Sequence, residues 1–97
     1  MLRILRDDED ADRVVLVLQG RLVGAWAELL ESECTEAGRT GLGVAVDLSE
    51  VVFISRSGFE VLGRLSRSGV EVIGCTPLIA AMLAQEGVRV SRGPADA

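Results

Sequence analysis

The feature that most restricts the fold of this chain is a threefold recurrence of short aliphatic runs, with a helix-patterned segment between each pair. The runs are Val14-Val15-Leu16-Val17-Leu18, then Val44-Ala45-Val46 with Leu48, then Val70, Val72 and Ile73. The first has no polar alternate, which predicts a strand buried on both faces, as strands of parallel sheets are. Between the runs the apolar spacing becomes helical. Trp26, Leu29, Leu30, Cys34 and Ala37 fall on one side of the first helix, with Glu28, Glu31 and Glu36 off it and Gly38 as its C′ residue. Phe59, Val61, Leu62 and Leu65 supply the face of a second helix closed by Gly69. Ser57 and Glu60 spell a capping box for it, with the Ser57 side chain accepting from the Glu60 N–H and contributing about 1 kcal/mol. In the third helix Thr76 is the N-cap and Pro77 the first residue, and Leu78, Ile79, Met82 and Leu83 form the inward face as far as Gly87.

Leu2, Arg3 and Ile4 alternate and predict a strand in a hairpin with Val14–Leu18. The apolar run Val51-Val52-Phe53-Ile54 leads from the second strand into Ser55, and Val88 and Val90 suggest a last edge strand. Right-handed crossovers through short links then imply an α/β fold: a mixed, mostly parallel four- or five-stranded sheet with helices packed on it. A chain of 97 residues, 48% apolar, builds one core. The expected division is a single domain over 1–91 and a flexible tail over 92–97, where Gly93-Pro94-Ala95-Asp96-Ala97 has nothing to bury.

Composition removes whole classes of function. The chain has no His, Lys or Tyr, which excludes Ser-His-Asp and Cys-His nucleophilic catalysis, a phosphate-loop lysine, Schiff-base chemistry and histidine metal ligation. A formal charge of −5 with scattered arginines argues against nucleic acid as a partner. No apolar run is long enough to span a bilayer and no signal-peptide core stands at the amino terminus, so membrane insertion is not expected and a cytoplasmic location is. No cofactor is indicated. Asp8, Asp10 and Asp12 imitate the first ligands of a calcium loop, but Arg13 and Gln19 stand where its glycine and closing glutamate belong, which leaves a solvated hairpin tip. Gly38, Gly41 and Gly43 precede a strand and are turn residues, since a phosphate-binding loop follows a strand and opens a helix. Asp47, at a strand end, reads as a loop-organising residue. Cys34 and Cys75 read as buried free thiols. The strongest enzyme alternative is a thiol-dependent one using Cys75, whose place before the third helix offers the positive end of the helix dipole.

Two segments resemble a known pattern. Gly20-Arg21-Leu22 ends the long apolar strand, and Val46-Asp47-Leu48-Ser49 runs on to Phe53-Ile54-Ser55-Arg56-Ser57-Gly58-Phe59. Together they are similar to the STAS domain family of anti-sigma factor antagonists, over roughly residues 2 to 90. The resemblance implies a non-enzymatic protein-binding regulatory module whose partner is an anti-sigma factor or serine-kinase-like protein. Ser57 matches the phosphorylated serine at the start of the second helix. The implied partner-binding residues are Ser55, Arg56, Ser57, Gly58, Arg21 and Val23. Val23 and Ser55 occupy positions where the antagonists carry aspartate. The resemblance also implies a second role, as a small partner subunit of a membrane-transport ATPase. Phosphate on Ser57 would add about −1.5 to −2 charges at a helix start, where anions are tolerated.

Overall fold

In a computed structural model, residues 2–7 and 12–91 are described. The elements follow in the order β1 (Leu2–Asp7), β2 (Arg13–Leu22), α1 (Ala25–Gly38), β3 (Gly43–Ile54), α2 (Arg56–Arg67), β4 (Glu71–Ile73), α3 (Pro77–Gln85) and β5 (Val90–Ser91). β1 pairs antiparallel with β2, and the remaining neighbours pair in parallel, giving one five-stranded sheet in the order β1-β2-β3-β4-β5. The Asp8–Asp10 part of the expected hairpin tip and the tail 92–97 lie outside the described residues.

Because each parallel strand lies beside its predecessor and crossovers are right-handed, all three helices fall on the same face of the sheet. The core reflects this. Val14, Leu16 and Leu18 of β2, Val44, Val46 and Leu48 of β3, and Val72 of β4 join Leu30, Leu62 and Leu83 of the helices in one buried cluster. The other face holds a small cluster of strand residues alone, Val15, Ala45 and Ile73, near an Arg13–Glu71 ion pair of 3.1 Å. The lack of polar alternation in these strands thus has two causes: helices on one side, a compact aliphatic cluster on the other.

β3 is longer than two separate apolar runs imply, because they join into one irregular strand. Val17 faces Asp47 and Gln19 faces Glu50, then Gly20 faces Val51 and Arg21 faces Phe53, so β3 gains a residue at each step. Asp47 therefore sits inside the strand rather than at its end. Its Oδ1 accepts from the Ser49 N–H at 2.8 Å, which satisfies a backbone donor beside the first irregularity. At the second, Val52 is the additional residue and is 74% exposed, between buried Val51 and 53%-exposed Phe53.

Two helix faces differ from expectation. In α1 the buried residues are Ala27, Leu30, Cys34 and Ala37, while Trp26 is half-buried and Leu29 exposed. The inward stripe is rotated toward the smaller residues, which let the helix approach the sheet. In α3, Leu83 is buried and Ile79 half-buried, but Leu78 and Met82 point outward, exposed by 71% and 41%. That helix is apolar nearly all round, and the sheet can cover only one of its sides. Gly38 is the last residue of α1 rather than its C′ glycine, and the positive φ of 83° falls at Gly41 in the following turn.

Candidate functional site

The residues singled out in the sequence meet at the carboxyl ends of β2 and β3. The register sets Arg21 beside Phe53 and Leu22 beside Ile54, bringing the β2–α1 turn against the start of α2. The Leu22 carbonyl oxygen ties the two together. It accepts from the Ser55 N–H at 3.0 Å and from the Ser55 hydroxyl at 3.3 Å. Across the turn, the Trp26 N–H donates to the Val23 carbonyl at 3.0 Å, and Gly24, with φ 51° and ψ −126°, precedes α1 without a side-chain cap. Arg21 is exposed and Val23 half-buried beside the same strand ends.

The capping residue of α2 is Ser55, not Ser57. Ser55 has extended φ and ψ of −79° and 171°, and its Oγ accepts from the Gly58 N–H at 3.2 Å. The Ser57–Glu60 capping box is therefore absent, because Arg56 and Ser57 already lie within the first turn. The change frees the Ser57 hydroxyl. Ser55 Oγ and Ser57 Oγ are 2.9 Å apart. Either hydroxyl can donate to the other, so the two serines are linked to each other by one hydrogen bond. The exposed Ser57 Oγ has no hydrogen-bond partner other than Ser55 among the described residues. The Arg56 and Ser57 amides, in the first turn, have no intrahelical acceptor, which makes the spot favourable for an anion.

Gly58 is buried, and it sets the distance at which α2 meets β2. A Cβ there would lie 2.7 Å from the Leu22 carbonyl oxygen and 2.8 Å from Ile54 Cγ2. Gly58 thus positions Ser57 and offers a partner no side chain of its own. Arg56 is exposed and projects from the same turn. The second helix is held to the first by Arg64, whose Nε and Nη2 donate to Glu31 at 3.0 and 3.2 Å. The hydrogen bond and charge of that guanidinium hold the Glu31 carboxyl below the usual carboxylate range.

Cys75 lies in an environment opposed to a reactive thiolate. Burial, and then the negative charge of Asp47, push its thiol up to about 11. The dipole of α3 does not reverse this, so the thiol stays protonated at neutral pH. Cys34 is pushed up to about 12, by burial first and then by Glu33 and Glu31. Among the described residues no group of three or more Cys, Asp or Glu is arranged to hold a metal ion, and no helix is long and apolar enough to cross a membrane.

Reasoning from sequence missed two parts of this surface. One is the Leu22 carbonyl, which no residue type announces. The other is an apolar groove beside Ser57, between the end of β3 and α3, lined by Val52, Phe53, Leu78 and Met82 over Ile54, Phe59 and Ile79. Its signals were four consecutive apolar residues at 51–54 and the all-round apolar character of α3.

The sheet order, the helices on one face and the paired strand ends define the STAS-like fold, that of the anti-sigma factor antagonists. No protein-family model matches the chain, and no curated protein matches it in sequence. Among solved structures, an anti-sigma factor antagonist from Mycobacterium paratuberculosis superposes with a TM-score of 0.75 at 18% identity, over 97% of this chain and 86% of that one. The anti-sigma factor antagonist SpoIIAA in its unphosphorylated form gives 0.69 at 18% identity, over 97% and 92%. The Bacillus cell fate determinant SpoIIAA in its phosphorylated form gives 0.69 at 16% identity, over 97% and 94%. A part of the murine anion transporter Slc26a9 gives 0.62 at 14% identity, over 76% of this chain and 14% of the transporter.

Proposed function

We propose that this protein is a non-enzymatic regulatory binding module that docks an anti-sigma factor or serine-kinase-like protein through Ser55, Arg56, Ser57, Arg21 and Val23, with Gly58 spacing the helix. Phosphorylation of Ser57 would release the partner. The reading rests chiefly on the exposed Ser57 hydroxyl, freed from capping by Ser55 and set in a turn whose amides suit an anion. It is supported by the fold shared with SpoIIAA, a protein solved in both unphosphorylated and phosphorylated forms. A partner pocket matched to a neutral hydroxyl would be repelled by about two negative charges at its centre. Such a role is exercised in the cytoplasm, where sigma factors act.

The test is affinity of the purified partner for three forms of the chain. Ser57→Ala should bind within about twofold of wild type, whereas Ser57→Asp should bind at least about tenfold more weakly, a difference of about 1.4 kcal/mol. Equal binding by both variants rejects a charge-gated switch. The use of the same fold within an anion transporter supports a second reading, as a subunit of a membrane-transport ATPase. Co-purification with an ATPase from solubilised membranes, unaffected by Ser57→Asp, would favour it over the first.

A further inference from the structure

β1 closes one margin of the sheet. It pairs with β2, and no described strand lies against its other side. The opposite margin differs in kind, since β5 has only two residues. Over its six residues β1 divides its side chains between the two faces. Leu2 and Ile4 join the main core beneath the helices. Arg3, Leu5 and Asp7 fall on the helix-free face, where Leu5 stands opposite Val17 and Asp7 opposite Val15 of the small aliphatic cluster. Leu5 is 38% exposed, the large apolar side chain that this strand leaves to solvent. Along the outer side every second residue turns its N–H and C=O away from β2, a row of groups that a further strand can satisfy.

We infer that β1 pairs antiparallel with β1 of a second copy of this chain, about a two-fold axis at Leu5, which joins two five-stranded sheets into one of ten strands. The strand is its own complement in that register, and this selects the occupant. A two-fold axis relating two antiparallel edges stands normal to the sheet and passes through one residue position, which then faces its own copy. With the axis at Leu5, the two Leu5 side chains meet, and Arg3 of each copy lies opposite Asp7 of the other on the helix-free face. On the helical face Arg6 lies opposite half-buried Ile4, whose remaining surface the arginine stem covers. An axis at Ile4 sets Arg3 against Leu5 and brings no opposite charges together. An axis at Arg3 or Arg6 sets two guanidinium groups against each other and shortens the pairing. Asp7 keeps the interaction it makes within its own chain, since one carboxylate accepts from more than one donor.

Residues 3–7 of each strand make a small contact, well under the roughly 800 Å² per partner of a stable interface, so the dimer is weak and reversible. The formal charge of −5 on each copy opposes it at low ionic strength, and screening over about 8 Å at physiological salt relieves that opposition. The axis leaves both helical layers on one side of the joined sheet and reverses the strands of one copy against the other. Ser57 lies beyond β3, two strands in from the shared edge, so the dimer presents two Ser57 turns at opposite ends of the sheet, each still open to a partner. A partner with two matching sites then gains from avidity.

The test is sedimentation equilibrium of the full chain up to about 1 mM at about 0.15 M salt, where the dimer should show a Kd of about 50–500 μM. Arg3→Asp and Asp7→Arg each set like charges opposite one another and should each weaken the dimer at least about fivefold. The double variant Arg3→Asp, Asp7→Arg restores the opposition of charges and should return to within about twofold of wild type. Thermal midpoints of the variants separate loss of pairing from loss of fold. Under mild oxidation Leu5→Cys should give a disulfide-linked dimer, because the two positions face each other within reach of an S–S bond. Arg3→Cys should not, because the two copies of that position stand four residues apart along the strands, about 13 Å. Wild type, which carries Cys34 and Cys75, is the control for both. A monomer at about 1 mM overturns the inference. So does a dimer that neither charge reversal weakens, a double variant no better than the single ones, or cross-linking of Arg3→Cys as fast as that of Leu5→Cys. A dimer that Leu78→Ser dissolves and Arg3→Asp leaves intact assigns association to the apolar groove and overturns it as well.

Discussion

Ser55 and Ser57 divide between them two tasks that the sequence assigned to one residue. Ser55 closes the start of α2 by accepting from Gly58 and bonding Leu22, while Ser57 keeps its oxygen outward. Ser55→Ala should therefore cost about 1–2 kcal/mol by urea denaturation, and Ser57→Ala no more than about 0.5 kcal/mol. The reverse order would return the cap to Ser57. Gly58 is the sterically critical neighbour. A methyl placed 2.7 Å from the Leu22 oxygen forces α2 away from β2, so Gly58→Ala should destabilise by about 1–3 kcal/mol and weaken partner binding even though Gly58 presents no side chain. The misassigned cap has a plain origin. Both serines precede helical pattern, and the Glu60 spacing favoured Ser57, whereas the deciding contact, the carbonyl of Leu22, lies 33 residues away in sequence.

At the scale of elements, α1 and α2 are joined by the Arg64–Glu31 pair. Glu31 has its pKa lowered by folding, chiefly through the Arg64 hydrogen bond. A depressed carboxyl contributes stability that is fully present above its unfolded value and is lost as pH falls through the folded one. The urea midpoint should therefore fall on acidification below the ordinary carboxyl value of 4.5, and part of that fall should vanish in Glu31→Gln. The pair is largely solvent-exposed, so the effect should shrink in high salt. The order and type of the elements were legible because strand runs and helix spacing differ in period. Which side of a helix faces inward was less so. In α3 apolar residues leave no polar side to mark the outside, and Leu78 and Met82, expected inside, are exposed. In β3 the two irregularities, at Ser49 and Val52, turned one strand into what reads as two.

Over the whole molecule, the two cysteines report different depths of the same core. Cys34 is 4% exposed within the main cluster, whereas Cys75 packs half-buried at its margin. Both thiols are held above the ordinary thiol value of 9.0, at about 12 and about 11. A raised thiol value gives stability that is complete below the unfolded value and lost as pH climbs toward the folded one, so the alkaline limb of the stability curve should fall from about pH 9 upward. Iodoacetamide at neutral pH should label both slowly in the native protein, with Cys34 labelling at the rate of global unfolding and Cys75 faster, through local opening near α3. Rapid labelling of native Cys75 would revive a thiol chemistry that its surroundings oppose. The mostly parallel sheet was readable from pattern. The Ser57 surface was readable as a location, and its neighbouring groove was not, because it forms only where the end of β3 meets a helix that follows it in the chain.

The unbroken order of strands carries a consequence for assembly. Every strand finds its partner in the strand made just before it, so no pairing waits for a distant segment, and loop-closure costs stay small throughout. The β2–β3 pairing and the Ser57 turn draw on no element beyond α2, whereas α3 and β5 complete only one margin of the sheet. The serine surface is thus independent of the last elements, and the apolar groove is built by them.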